Sequence, residues 1–132
     1  MTRDAAQILR EARTIAVVGA SDRPSRPSHG VMRYLLDAGY RCIPVTPRCD
    51  AVLGVPTVAS LEQIDEPVDL VDVFRRPNRC PEHAREAVAI AAGALWLQLG
   101  IVSAAARRIA EEAGLDYVED ACTKIVHARE VR

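Results

Sequence analysis

The sequence predicts an α/β domain built on a doubly wound, five-stranded parallel sheet with helices on both faces. Three observations carry this. Short apolar runs alternate five times with longer segments of helical periodicity. The runs are apolar at successive positions, as in strands covered on both faces. Each run closes on Gly, Pro or a charged turn, and no linker, repeat or low-complexity stretch interrupts the series.

Taken in order, Asp4–Ala12 reads as an amphipathic helix with Ala5, Ile8, Leu9 and Ala12 on one face and Thr2 or Asp4 at its start. Thr14–Gly19 is the first strand. A polar loop with two prolines and two arginines follows, and Ser28 is placed to cap a helix over about His29–Ala38, stopped by Gly39. Arg41–Val45 is the second strand, closed by Thr46-Pro47. Arg48–Thr57 reads as loop, and Ser60–Ile64 as one helical turn capped by Ser60. Val68–Phe74 is the third strand. Pro81 suits the first turn of a helix reaching about Ala92, ended by Gly93. Ala94–Leu99 is the fourth strand, Ser103 caps a helix to Ala113, and Asp116–Glu119 is the fifth strand. Right-handed crossovers give a Rossmann-like fold, for which the expected strand order is 3-2-1-4-5.

The chain has 132 residues, enough for one domain over residues 1–132, and 49% of them are hydrophobic. A net charge of −1 argues against nucleic acid or an anionic membrane as partner, and no apolar run approaches spanning length. The charged N-terminal stretch lacks a signal-peptide core, so the expected location is the cytoplasm. Cys42, Cys49, Cys80 and Cys122 form no Cys-x-x-Cys pair and no zinc spacing with histidine, so they read as small apolar residues.

In an open parallel sheet, ligands bind beyond the carboxyl ends of the strands where the order reverses, here expected at the loops after strands 1 and 4. The first exit runs Gly19-Ala20-Ser21-Asp22-Arg23-Pro24-Ser25-Arg26-Pro27-Ser28-His29-Gly30. Gly19 permits close backbone approach. Ser21 and Ser28 offer hydroxyls, Arg23 and Arg26 charge-assisted bonds, and the free N–H groups from Ser28 through His29 and Gly30 favour an anion. Gly30 falls where a helix would approach a ligand or strand closely. Gly19 and Gly30 are too far apart for a Gly-x-Gly-x-x-Gly loop.

The second exit, Thr46-Pro47-Arg48, lacks the carboxylate that binds ribose hydroxyls in NAD enzymes. Its first charge is positive, which permits NADP or the 3′-phosphate of CoA. Arg75 and Arg76 at the third exit suit an anion. At the fourth exit, Gln98 is the one polar residue before Gly100, and a buried amide must be bonded to neighbouring loops or presented to ligand. Trp96 reads as core. Asp69 with Asp72, and Glu119 with Asp120, show no catalytic pairing. His83 reads as solvent-facing, and His127 as packing in the tail.

Together, Val17–Ser21, Pro44–Pro47, Asp69–Pro77, Ala94–Ile101 and Cys122–Ile125 with His127–Arg129 resemble the small stand-alone CoA-binding proteins, which are similar in fold to the CoA-binding domain of the succinyl-CoA synthetase α subunit. The resemblance covers about Thr14 to Arg129. It implies that Gly19, Ala20 and Ser21 hold the pyrophosphate, that Thr46, Pro47 and Arg48 lie near the adenosine and 3′-phosphate, and that Phe74, Arg75, Pro77, Gln98 and Leu99 flank the cofactor. Family members often carry Asn where this chain has Thr46.

The expectation is a module that binds CoA or acyl-CoA and is not itself an enzyme, with a protein partner or self-association open. The alternatives are a small NADP-dependent oxidoreductase or redox sensor, and an accessory subunit of an acyl-CoA synthetase. Cys49 and Cys122, near the ligand loops, are placed for a mixed disulfide with the CoA thiol.

Overall fold

The computed structural model describes residues 2–132. Helix α1 (Ala5–Glu11) starts on a full capping box. The Asp4 carboxylate accepts from the Gln7 backbone N–H, and the Gln7 side chain accepts from the Asp4 N–H. Asp4→Ala is expected to lower stability by about 1 kcal/mol in a urea melt, because it strips the cap.

Five strands follow in a parallel sheet: β1 (Thr14–Val18), β2 (Arg41–Val45), β5 (Leu70–Val73), β6 (Ala94–Leu97) and β7 (Asp116–Val118). Residues alternate cleanly between the two faces. Ile15, Val17, Leu70 and Trp96 pack with Ile8 and Leu9 of α1 and with Met32 and Leu35 of α2 (Pro27–Asp37). Ala16, Val18, Val71, Leu95 and Leu97 pack with Ala84 and Ala87 of α3 (Cys80–Ala89) and with Ala106 and Ala110 of α4 (Ala104–Glu112). The short helix α5 (Thr123–Val126) and a π turn over His127–Val131 bring the tail against α1 and α2. No helix among the described residues is long and apolar enough to cross a membrane.

The lateral order is β2-β1-β5-β6-β7, so the third strand lies between the first and the fourth. This corrects the expected 3-2-1-4-5 to 2-1-3-4-5 and moves the reversal point to between β1 and β5. Pro44 supplies a physical reason. It has no N–H to give to a ladder, and proline in a sheet belongs on an edge strand. Its carbonyl accepts from Val58 on the outer side of β2, so the missing donor also faces outward, away from β1. An interior β2 would turn that gap toward a neighbouring strand.

Other boundaries differ. Arg48–Thr57 is not plain loop: β3 (Ala51–Val52) and β4 (Val55–Pro56) form a small hairpin turned by Leu53 and Gly54, both at positive φ. Leucine is an unusual first residue for such a turn, so the sequence carries little signal for it. Helix α2 begins at Pro27, with Arg26 as N-cap, so Ser28 lies inside the helix rather than capping it. Helix α3 ends three residues early because Ala91, at φ 56, takes the left-handed position. Ser103 does cap α4, its hydroxyl accepting from the Ala106 N–H at 3.1 Å.

Candidate functional site

A cavity of about 1360 Å³ opens beyond the carboxyl ends of β1, β2, β5 and β6. It exceeds the roughly 300–1,000 Å³ usual for small-ligand clefts, so it suits an extended ligand.

Its floor is set where β1 ends. Gly19 sits at φ 83, and a Cβ there would lie 2.5 Å from the Phe74 backbone oxygen. Only glycine lets the β1 and β5 exits meet so closely. The Gly19 N–H donates to the Val45 carbonyl at 3.0 Å, tying the loop to β2. Beyond it, the Ser21 hydroxyl accepts from the Arg23 N–H at 3.1 Å, which turns the loop. Helix α2 has no side-chain cap on its first N–H groups, and Arg26, Pro27 and Ser28 at its start line the cavity. On the β2 side, the Thr46 hydroxyl accepts from the Arg48 N–H at 3.2 Å, in the same kind of turn.

Charge separates sharply around this wall. Arg23, Arg26, Arg48, Arg75, Arg76 and Arg79 line it, against Asp22 and Glu86. Among the described residues the first five make no ion pair; Arg79 reaches Glu82 at 3.9 Å on the exposed rim. Unpaired guanidiniums and the start of a helix without a side-chain cap share this lining, a combination that suits phosphate. An apolar lip formed by Leu99, Ile101 and Ile125 borders the same opening, and Leu99 is 63% exposed.

Gln98 is both bonded and presented. Its Nε2 donates to Asp72 Oδ1 at 2.6 Å and to Thr123 Oγ1 at 3.0 Å, and the Thr123 hydroxyl donates to Asp72 Oδ2 at 3.0 Å. Asp72 is fully buried, and burial pushes its carboxyl up to about 7 against the pull of these two bonds. With both amide hydrogens engaged, the Gln98 oxygen is left as the acceptor at the cavity wall.

Of the residues singled out in the sequence, Gly19, Ala20, Ser21, Arg26, Ser28, Thr46, Pro47, Arg48, Phe74, Arg75, Gln98 and Leu99 come together on this wall. Four do not. His29 and Gly30 point away because the helical turn carries Ser28 and Val31 to the cavity and rotates the two between them off it. A Cβ at Gly30 would meet nothing within 4 Å, so no close approach requires glycine there. Pro77 starts an exposed 3-10 turn, and Gly100 serves the turn after β6, its N–H donating to Asp120 at 2.7 Å.

His83, expected in solvent, is instead buried in the cavity wall, with Glu86 beside it. Residue type at a helix start suggested exposure; the Glu86 three residues on was the available signal. His127 packs in the tail, Nδ1 against the Tyr34 hydroxyl at 2.8 Å and its ring edge-on to Tyr34 and Tyr40. Cys49 and Cys122 line the cavity as free thiols, while Cys42 and Cys80 are buried.

The family model described as "CoA binding domain" matches residues 13–128, which is nearly the whole chain. The chain belongs to the CoA-binding domain family. This CoA-binding-domain protein is 45% identical over 122 residues to the uncharacterized protein YneT of Bacillus subtilis (strain 168), covering 92% of this chain and 90% of YneT. It superposes on a hypothetical protein from Pyrococcus horikoshii OT3 with a TM-score of 0.94 and 35% identity, over 98% of this chain and 91% of that one. It also superposes on part of the dinucleotide-forming acetyl-coenzyme A synthetase 1 of Ca. Korarchaeum cryptofilum, with a TM-score of 0.73, over 86% of this chain and 27% of that one. At 20% identity the last likeness is one of fold alone.

Proposed function

We propose that this chain is a cytoplasmic module that binds coenzyme A or an acyl-CoA in the cavity above β1 and β5 and performs no chemistry of its own. The observation that carries this reading is the wall itself: five unpaired arginines on three strand exits, around a cleft too long for a single phosphate. A CoA molecule carries a diphosphate, a 3′-phosphate and a long, weakly polar arm. The basic loops suit the first two, and the apolar lip of Leu99, Ile101 and Ile125 suits the arm or its acyl group. The β2 exit supports CoA over NAD, because it offers Arg48 and no carboxylate to ribose hydroxyls.

Calorimetric titration with CoA, NADP and NAD tests the reading. Binding of CoA with neither dinucleotide supports it, and binding of NADP without CoA overturns it. Arg48→Ala is expected to weaken CoA about tenfold while leaving 3′-dephospho-CoA unchanged, since the lost contact is a charge-assisted bond to one phosphate. Equal losses for both ligands would remove Arg48 from the 3′-phosphate.

A further inference from the structure

The large hydrophobic side chains left exposed among the described residues are Leu99 at 63%, Val102 at 50% and Ile125 at 40%. They are not scattered. Leu99 and Val102 sit on the short loop that leaves β6, turned by the Ile101 N–H donating to the Gln98 carbonyl at 2.9 Å. Ile125 lies just beyond Thr123, whose hydroxyl accepts from Gln98 Nε2 at 3.0 Å, and Trp96 Nε1 donates to the Ala121 carbonyl at 2.9 Å. These two bonds hold the start of α5 against the end of β6, and Leu99, Ile101 and Ile125 all line the cavity. Exposed apolar side chains scattered singly need no explanation, but a group of them on the rim of a cavity marks a binding surface.

The sheet order says which end of a ligand reaches this rim. Along β2-β1-β5-β6 the exits carry Arg48, then Arg23 and Arg26, then Arg75 and Arg76, and the β6 exit from Gln98 to Ser103 carries no charged residue. The three strand spacings from β2 to β6 amount to about 14 Å. A CoA with its 3′-phosphate at Arg48 and its diphosphate over β1 and β5 extends its arm toward β6. There it passes the Gln98 oxygen, an acceptor for an amide N–H of the arm, and brings its sulfur to the rim. The carboxylates nearest the loop hold its backbone: Asp120 accepts from the Gly100 N–H at 2.7 Å and Glu119 from the Ser103 N–H at 3.3 Å. They set negative charge beside the loop, which disfavours an anionic tail. Lys124, next to Ile125, turns to the Tyr34 ring, 5.8 Å away, and does not line the cavity.

We propose that the ligand of this cavity is a CoA thioester with an uncharged, apolar acyl group, whose tail lies across Leu99, Val102 and Ile125. The inference rests on the CoA reading above and names the ligand class of that site. Free CoA ends in a thiol at the rim and leaves the three side chains in water, whereas an acyl chain covers them. An acyl group that ends in a carboxylate meets apolar side chains and the charges of Glu119 and Asp120 in place of water.

The test titrates the chain by calorimetry with CoA, butanoyl-CoA, octanoyl-CoA and succinyl-CoA. Octanoyl-CoA is expected to bind about tenfold more tightly than CoA, with butanoyl-CoA in between. Succinyl-CoA, which matches the butanoyl group in chain length and adds a carboxylate, is expected to bind more weakly than butanoyl-CoA. Leu99→Ser combined with Ile125→Ser, both at exposed positions, is expected to bring the ratio of octanoyl-CoA to CoA affinity close to one. Equal affinities for CoA and octanoyl-CoA in the wild type, a ratio that survives the double substitution, or succinyl-CoA binding as tightly as butanoyl-CoA would each overturn the inference while CoA binding stands. Failure of CoA and all three thioesters to bind would overturn the reading of the cavity as well.

Discussion

Gly19→Ala is expected to lower stability by about 2–5 kcal/mol and to abolish CoA binding. Two costs add. A residue with a Cβ at φ 83 is strained by about 1–2 kcal/mol. The new methyl also falls 2.5 Å from the Phe74 carbonyl oxygen and 3.1 Å from Arg75 Cδ. The arginine side chain can swing aside, but the oxygen is backbone. Phe74 is held by its N–H donating to the Val18 carbonyl at 2.8 Å, so relief means pulling the β1 and β5 exits apart, with an overpacking cost of about 1–3 kcal/mol. That movement displaces the loop carrying Ala20 and Ser21 from the floor of the cavity. Gly30→Ala is the internal control. It sits in α2 at an exposed position with open space around it, and alanine there is expected to add about 0.5–1 kcal/mol and leave CoA affinity unchanged. Urea melts and CoA titrations of the two variants check both expectations. A Gly19→Ala protein as stable as the wild type would refute the close approach of the two exits.

The second large effect is a pH dependence that belongs to Asp72. Its carboxyl is raised from the ordinary 3.8 to about 7, chiefly by burial, with the Gln98 and Thr123 bonds opposing. Between about pH 4 and 7 the folded chain therefore keeps a proton that the unfolded chain releases. Stability falls as pH rises through that window and levels off above it. The three-unit shift corresponds to a loss on the order of 4 kcal/mol between the two ends. Asp72→Asn removes the titration, so the difference in stability between wild type and variant is expected to change by that order between pH 4 and 8. Taking the difference cancels other groups, including Glu66, which its bond to Arg41 holds low and which titrates in the opposite sense. A difference that stays flat with pH would show that Asp72 does not titrate in this range. Ionisation of Asp72 also fixes which way Gln98 faces: the carboxylate accepts from the amide directly and from the Thr123 hydroxyl, which itself accepts the second amide hydrogen, leaving the Gln98 oxygen toward the cavity.

The sheet strands, the main helices and most of the candidate site's lining were legible in the sequence because they are local. Val17-Val18-Gly19 announces a buried strand and a turn that needs positive φ. The basic exits Arg23, Arg26, Arg48 and Arg75 were legible because a parallel sheet brings the carboxyl ends of its strands to one side. Hydrophobic periodicity and turn chemistry by themselves determined the class, the five sheet strands and the end of the sheet where the cavity opens, and left the hairpin of β3 and β4 unread. The tertiary structure decided what depends on lateral neighbours. It placed β5 between β1 and β6, since the apolar faces of two strands look alike until Pro44 confines β2 to the edge. It also buried His83, whose polarity suggests solvent, by packing α3 beside the segment that closes over β2 and pairing the ring with Glu86. A local pattern records how a segment repeats; which segments then meet is settled by the pairing of edges and the partnering of buried polar atoms, and those are properties of the assembled chain.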